Sequence, residues 1–103
     1  MSEIAVHEQR VWDICLAYTH AKHPSRILDT PLLLRRLMEE IGELAEAIAL
    51  QEKPPVVANE IGDVYHTLVL LGRTEGISVH RASTEKLEVL KDRTIQARKA
   101  VTS

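Results

Sequence analysis

The placement of the four prolines and of Gly76 constrains the fold more than any other feature of this chain. Pro24, Pro31, Pro54 and Pro55, with Gly76, punctuate long stretches whose apolar residues recur three and four apart. That spacing marks one face of an α-helix, and no period-two alternation of the kind that marks a half-buried strand interrupts it. The first helix is predicted over residues 2–22, with Ile4, Val11, Cys15 and Tyr18 on one face, and His23-Pro24 disfavours its continuation. The second begins after Asp29 and Thr30, either of which is a capping residue, with Pro31 in its first turn. Its stripe is Leu33, Leu37, Ile41, Leu44 and Ile48. The third starts at Pro54-Pro55 with Val57, Ile61, Val64, Leu68 and Leu71, and Gly76 is suited to its end. The fourth covers residues 79–100 with Leu87, Leu90 and Ile95 as anchors. Four helices on short connections predict an all-α, antiparallel four-helix bundle.

At 103 residues the chain is expected to form one domain, residues 1–103, whose lone core is thin enough that association between copies is expected too. A single cysteine, Cys15, excludes an internal disulfide and a cysteine-based zinc or iron–sulfur site, and its place on the apolar stripe suits a small core residue. No apolar run approaches the roughly 20 residues of a membrane span, and the charged start lacks the apolar stretch of a signal peptide, so the cytoplasm is the expected compartment. No glycine-rich phosphate loop is present, and no basic stripe interleaved with aromatics points to nucleic acid.

Charge is unevenly spread. Between Glu39 and Asp63 stand seven acids and one base; between Arg81 and Lys99 stand six bases and three acids. On a helical wheel centred on Leu37, Glu40 falls near about 300° and Glu43 near about 240°, with Glu39 near about 200°. Centred on Ile61, Glu60 falls near about 260° and Asp63 near about 200°. On both helices the acids therefore lie beside the apolar stripe. Like charges one turn apart repel, and two such pairs facing each other across helices repel more strongly when partly buried. A hard divalent cation relieves this, and an all-carboxylate set without histidine favours Mg²⁺ or Mn²⁺ over Zn²⁺. A metal-bound polyphosphate is the ligand such a site suits. Gly42 and Gly62, each costing about 1 kcal/mol inside a helix, suggest a second close helix contact within the chain or between copies.

Glu40-x-x-Glu43, sixteen intervening residues and Glu60-x-x-Asp63, set in LMEEIGELAEAIAL and NEIGDVYHTLVLLGRTEGISV, resemble the signature of the all-α nucleoside triphosphate pyrophosphohydrolases, the MazG-like group. The resemblance spans residues 32–93. It implies a helical, obligately oligomeric enzyme, a homodimer or homotetramer, that uses Mg²⁺ to hydrolyse a nucleoside triphosphate to the monophosphate and pyrophosphate. It implies Glu40, Glu43, Glu60 and Asp63 as metal ligands and Glu39 as the carboxylate that orients or deprotonates the attacking water. On the fourth helix it implies Lys86 as the first phosphate contact and a charge-stabilising catalytic residue, with Arg93 and Lys91 behind it. The stretch DVYHTLVLL at residues 63–71 also echoes phosphoribosyl-ATP pyrophosphohydrolase, although Met38 stands where that branch usually has lysine.

For the nucleobase, Trp12, Tyr18 and Tyr65 are the stacking candidates, with His7, His20 and His66 as polar partners; Trp12 heads the list of substrate contacts. A different class of reading stays open beside the enzyme: a helical dimerisation module whose acids pair with the basic fourth helix.

Overall fold

The computed structural model describes residues 2–102. These form four helices, α1 (Glu3–Lys22), α2 (Thr30–Ala49), α3 (Pro54–Thr74) and α4 (Val79–Thr102), and no strand occurs among the described residues. Their ends follow from local chemistry. The Ser2 hydroxyl accepts from the Ala5 N–H at 3.1 Å and caps α1, and the Asp29 carboxylate accepts from the Leu32 N–H at 3.0 Å and caps α2. Prolines occupy the first turns of α2 and α3, where a missing N–H costs nothing. Gly76, at φ +71°, ends α3 in a Schellman motif: its N–H reaches the Arg73 carbonyl, and the Ile77 N–H reaches the Gly72 carbonyl at 2.8 Å. The same motif ends α2 with Gln51 at φ 55°, a left-handed conformation that costs a side-chain-bearing residue about 1–2 kcal/mol.

α2 and α3 pack antiparallel along their length, tied at one end by Thr30 Oγ1 and Thr74 Oγ1, 2.9 Å apart, and by the Thr30 hydroxyl donating to Glu75 at 2.8 Å. α1 lies across α3. The core is Leu28, Leu33 and Leu70, clad by Trp12, Cys15, Leu16, Leu32 and Leu71. Burial leaves the Cys15 thiol above its ordinary pKa, in keeping with an unreactive packing residue.

Both central helices are rolled relative to their predicted stripes. On α2 the packed face carries Leu33, Arg36, Leu37, Glu40, Leu44 and Ala47, while the predicted stripe members Ile41 and Ile48 stay about half exposed. On α3 the packed face carries Glu60, Asp63, Val64 and Thr67, while Ile61 and Leu68 stay exposed. The offset on α2 is about 50°. It arises because α2 has apolar residues on both flanks of Leu37, and a single chain seats only one of them. Glu40, Glu60 and Asp63 consequently sit on the packed face rather than beside it, while Glu39 and Glu43 stay exposed.

α4 leaves the other three. None of its described residues is buried, and Leu87, Leu90, Ile95 and Val101 are all exposed. The radius of gyration is 17.5 Å, against about 13 Å for a compact domain of this length. α4 is held at its root. The Glu8 carboxylate of α1 accepts from the Ser78 hydroxyl at 2.6 Å and from the N–H groups of Val79 and His80 at 3.3 and 3.4 Å. An acid thus satisfies the orphan donors at the positive end of the helix. Gly72 permits the approach, since a Cβ there would stand 2.8 Å from the Ile77 carbonyl oxygen. Gly42 and Gly62, by contrast, face no neighbour within 4 Å, so no close helix contact forms at them among the described residues.

Candidate active site

The sixteen residues between Glu43 and Glu60 hold the last turns of α2, a short reversal and the first turn of α3. The reversal brings the two acid pairs face to face across the helix seam. Glu40 and Glu60 each feel the charges of Glu43 and Asp63. Burial first, then the charges of Asp63 and Glu43, pushes Glu40 above the ordinary glutamate range; the Thr67 hydroxyl and the Arg36 guanidinium offset part of the rise. Glu60 is pushed up in the same sense, by desolvation and then by Glu43 and Asp63. The Oε1 atom of Glu40 and the Oε2 atom of Glu60 are buried without a hydrogen-bond partner. A carboxylate oxygen withdrawn from water and left unpaired is costly, so its persistence in a packed seam calls for a partner.

The four acids divide between two cavities. Glu40 and Asp63 open on a cavity of about 230 Å³ at the junction of α1, α2 and α3, together with Cys15, Tyr18, Thr19, Arg36, His66 and Thr67. Glu43 and Glu60 open on a second, of about 220 Å³, with Glu46 and Glu52. Among the described residues no three acidic, histidine or cysteine side chains converge closely enough to form a ready cation cage. The donor chemistry nevertheless suits a hard divalent ion: oxygen ligands only, negatively charged, two of them orphaned.

The remaining sequence-derived candidates are spread out. Glu39 lies on the outer face of α2, well exposed, with Arg35 at 3.9 Å, and lines neither acidic cavity. Trp12 packs on the core beneath the Arg73 guanidinium, 5.0 Å from its ring centroid, and does not line the cavity shared by Glu40 and Asp63. Arg73 is further held by donating to Gln9 at 2.6 Å. Of the other nucleobase candidates, the stacking candidate Tyr18 and the polar partner His66 do line that cavity, and Tyr65 lies obliquely between His7 and His66. Lys86, Lys91 and Arg93 stand exposed on α4, which packs on α3 only at its root. Within one chain α4 forms no ion pair with the four acids, and the two salt bridges among the described residues are exposed i,i+4 pairs.

Sequence reasoning gave no site role to Arg36, Thr19 or Thr67, nor to the apolar Ile14 and Leu70 that line the same cavity. Arg36 gave a signal, lying one turn before Glu40 on the same helix face; Thr19 gave none.

The raised carboxyls set a pH dependence. Glu40 and Glu60 hold protons more tightly folded than unfolded, so their contribution to stability is present below the ordinary glutamate pKa and is lost as pH rises through their raised values. Thermal melts of metal-free protein between about pH 4.5 and 8 are expected to show the midpoint falling across that rise. In the double variant Glu40→Gln, Glu60→Gln this component of the slope disappears; an unchanged slope would show that the two groups are not coupled to folding.

The family model of the MazG nucleotide pyrophosphohydrolase domain matches residues 29–95. No curated protein and no solved structure gives a significant match. Among the described residues no helix is long and apolar enough to cross a membrane.

Proposed function

The chain belongs to the MazG nucleotide pyrophosphohydrolase family, and from that premise we propose that it cleaves a ribo- or deoxynucleoside triphosphate to the monophosphate and pyrophosphate in the cytoplasm, using Mg²⁺, with Mn²⁺ able to substitute. The observation that carries this reading is the pair of unpartnered buried carboxylate oxygens on Glu40 and Glu60, each repelled by the charges of Glu43 and Asp63.

Glu40, Glu43, Glu60 and Asp63 would hold the metal. Bound there, it supplies charge neutralisation and Lewis acidity toward phosphoryl oxygens. The side-chain torsions of glutamate allow these carboxylates to turn toward a shared ion. The Thr67 hydroxyl beside Glu40 favours its charged form. Tyr18, His66 and the apolar wall of Ile14 and Leu70 give the nucleoside a surface for stacking and for polar contact. Glu39 orients the attacking water once it leaves Arg35. Trp12 shapes the cavity from behind, through the core on which it packs.

The phosphate contacts come from a second copy. α4 buries nothing in its own chain, carries the basic excess, and presents Leu87, Leu90 and Ile95 unpaired; α2 and α3 present Leu34, Met38, Ile41, Ile61 and Leu68 unpaired beside the acids. Apolar and charge complementarity both favour α4 of one protomer covering α2 and α3 of its partner, as a homodimer or homotetramer. Lys86, with Lys91 and Arg93, then meets the triphosphate and offsets charge developing in the transition state. The same covering would give Gly42 and Gly62 their missing neighbour.

Complementation tests the shared site. Glu43→Gln and Lys86→Ala proteins are each expected to be inactive on nucleoside triphosphates. Co-refolded, they are expected to regain about a quarter of the unmodified activity, because half the dimers are mixed and each mixed dimer has one intact site. No regain, with mixed dimers demonstrated by mass spectrometry, would contradict a site built across copies.

A further inference from the structure

We propose that Arg36 is an anion-recognising residue of the cavity between α1, α2 and α3, and that its guanidinium takes a phosphoryl oxygen of the nucleotide bound there. The proposal rests on the nucleotide reading above and deepens it, because it places a phosphate contact within the same chain as the acids, on α2 rather than α4.

Arg36 is half-buried on the packed face of α2 and lines the cavity with Glu40 and Asp63. A cation withdrawn from water is costly unless it is paired and hydrogen-bonded. Arg36 makes no ion pair or hydrogen bond with any described residue; its charge is felt only at a distance, lowering the pKa of Glu40 and Cys15. Arg35, one position earlier, shows the ordinary alternative, since it turns outward and meets Glu39 on the surface. Arg36 is therefore an inward-facing fork of five donors without an acceptor, and it is the only lysine or arginine among the residues lining this cavity. The neighbouring carboxylates do not close on it. If they serve as metal ligands, their oxygens are committed elsewhere, and the donors remain for an incoming anion. Planar, bidentate recognition of phosphoryl oxygens is what a guanidinium does better than an ammonium.

A second, independent observation points to a ligand in this cavity. Thr19, only 2% exposed, lines it from α1, and its Oγ1 atom is buried without a hydrogen-bond partner. A helical threonine readily satisfies itself on the carbonyl one turn back, as Thr84, Thr94 and Thr102 do here. Thr19 does not. Two unpartnered groups from different helices, one cationic and one hydroxyl, thus line one cavity with Glu40 and Asp63, and a phosphorylated ligand with oxygen acceptors answers both.

The test is calorimetric binding of inorganic pyrophosphate and of nucleoside monophosphates to the Mg²⁺-saturated protein, which needs no turnover. Arg36→Gln is expected to weaken binding of one of these anions about tenfold to a hundredfold, and Arg36→Lys by less, since it keeps the charge and loses the fork. Which anion loses affinity identifies the phosphoryl group contacted. Thr19→Val is expected to weaken monophosphate binding while leaving the ligand-free thermal midpoint unchanged or higher, because an unsatisfied hydroxyl is removed. Unaltered affinities in Arg36→Gln, with only the ligand-free midpoint lowered, would reduce Arg36 to a charge that offsets Glu40 and Asp63 and overturn the proposal. If the unmodified protein binds neither pyrophosphate nor any monophosphate, the nucleotide reading itself fails, and this proposal with it.

Discussion

Glu43→Gln is expected to lower nucleotide hydrolysis by about a hundredfold or more while raising the thermal midpoint of the metal-free protein. The first effect follows from the proposed role of Glu43 as a metal ligand: even partners that merely orient a metal ligand cost about 10- to 100-fold when removed, and a direct ligand costs at least as much. The second follows from repulsion. The charge of Glu43 pushes up both Glu40 and Glu60, and among the described residues Glu43 has no cation within ion-pairing distance. Removing its charge relieves two unfavourable interactions and breaks none. Mg²⁺ should stabilise the unmodified protein, since a ligand bound by the folded state alone raises its stability, and should stabilise the variant far less. The dimerisation-module reading has the opposite signature. An acid held by a base on α4 of a partner would lose stability on becoming glutamine, and Mg²⁺ would have little effect. Paired melts of the two proteins, with chelator and with Mg²⁺, separate the readings by sign.

Leu33→Ala is expected to be the most damaging single truncation, at about 2–5 kcal/mol. Leu33 is fully buried and packs with Leu28 and Leu70. A domain of this size holds only about 5–15 kcal/mol in all, so a large part of the fold's stability goes with that side chain. Ile41→Ala supplies the contrast. Ile41 is 49% exposed in one chain, so its truncation should change the urea midpoint little at high dilution. If a second copy covers it, the same substitution lowers the midpoint at high concentration and weakens association. Urea melts of both variants over a range of protein concentration measure the two effects directly.

Helix ends were legible in the sequence because their causes are local. Ser2, Asp29, Pro31, Pro54 and Gly76 each act within a few residues of themselves, and each marks the observed end to within one or two positions. The acid pairs were legible for the same reason: i,i+3 spacing on a helix fixes a face. The resemblance over residues 32–93 and the family match over residues 29–95 describe nearly the same stretch.

What the sequence did not disclose is relational. Periodicity locates an apolar stripe but not which flank of it a given chain will use, and α2 carries Ile41 and Ile48 on one flank and Arg36, Glu40 and Ala47 on the other. The seat taken by Trp12 under Arg73 joins residues 61 positions apart, and the Glu8 clamp on α4 joins residues 70 positions apart. Neither has a local signature. Cavity membership has none either, which is why Tyr18 and His66 reached the site from a longer list of ring side chains while Trp12 did not. The separation of Lys86 from the acids is of the same kind: a helix can be read from its residues, but not the surface on which it packs.

Hydrolysis between the α- and β-phosphates of a nucleotide is reported by its products. The protein should be incubated with Mg²⁺ and a panel of ribo- and deoxynucleoside triphosphates, extended to phosphoribosyl-ATP, and the released phosphates resolved by phosphorus NMR. Expected is pyrophosphate in equal amount to a nucleoside monophosphate, from at least one member of the panel, and none when chelator is present. Release of orthophosphate alone, or no release from any nucleotide together with a thermal midpoint indifferent to Mg²⁺, would contradict the assignment and leave a helical association module in its place.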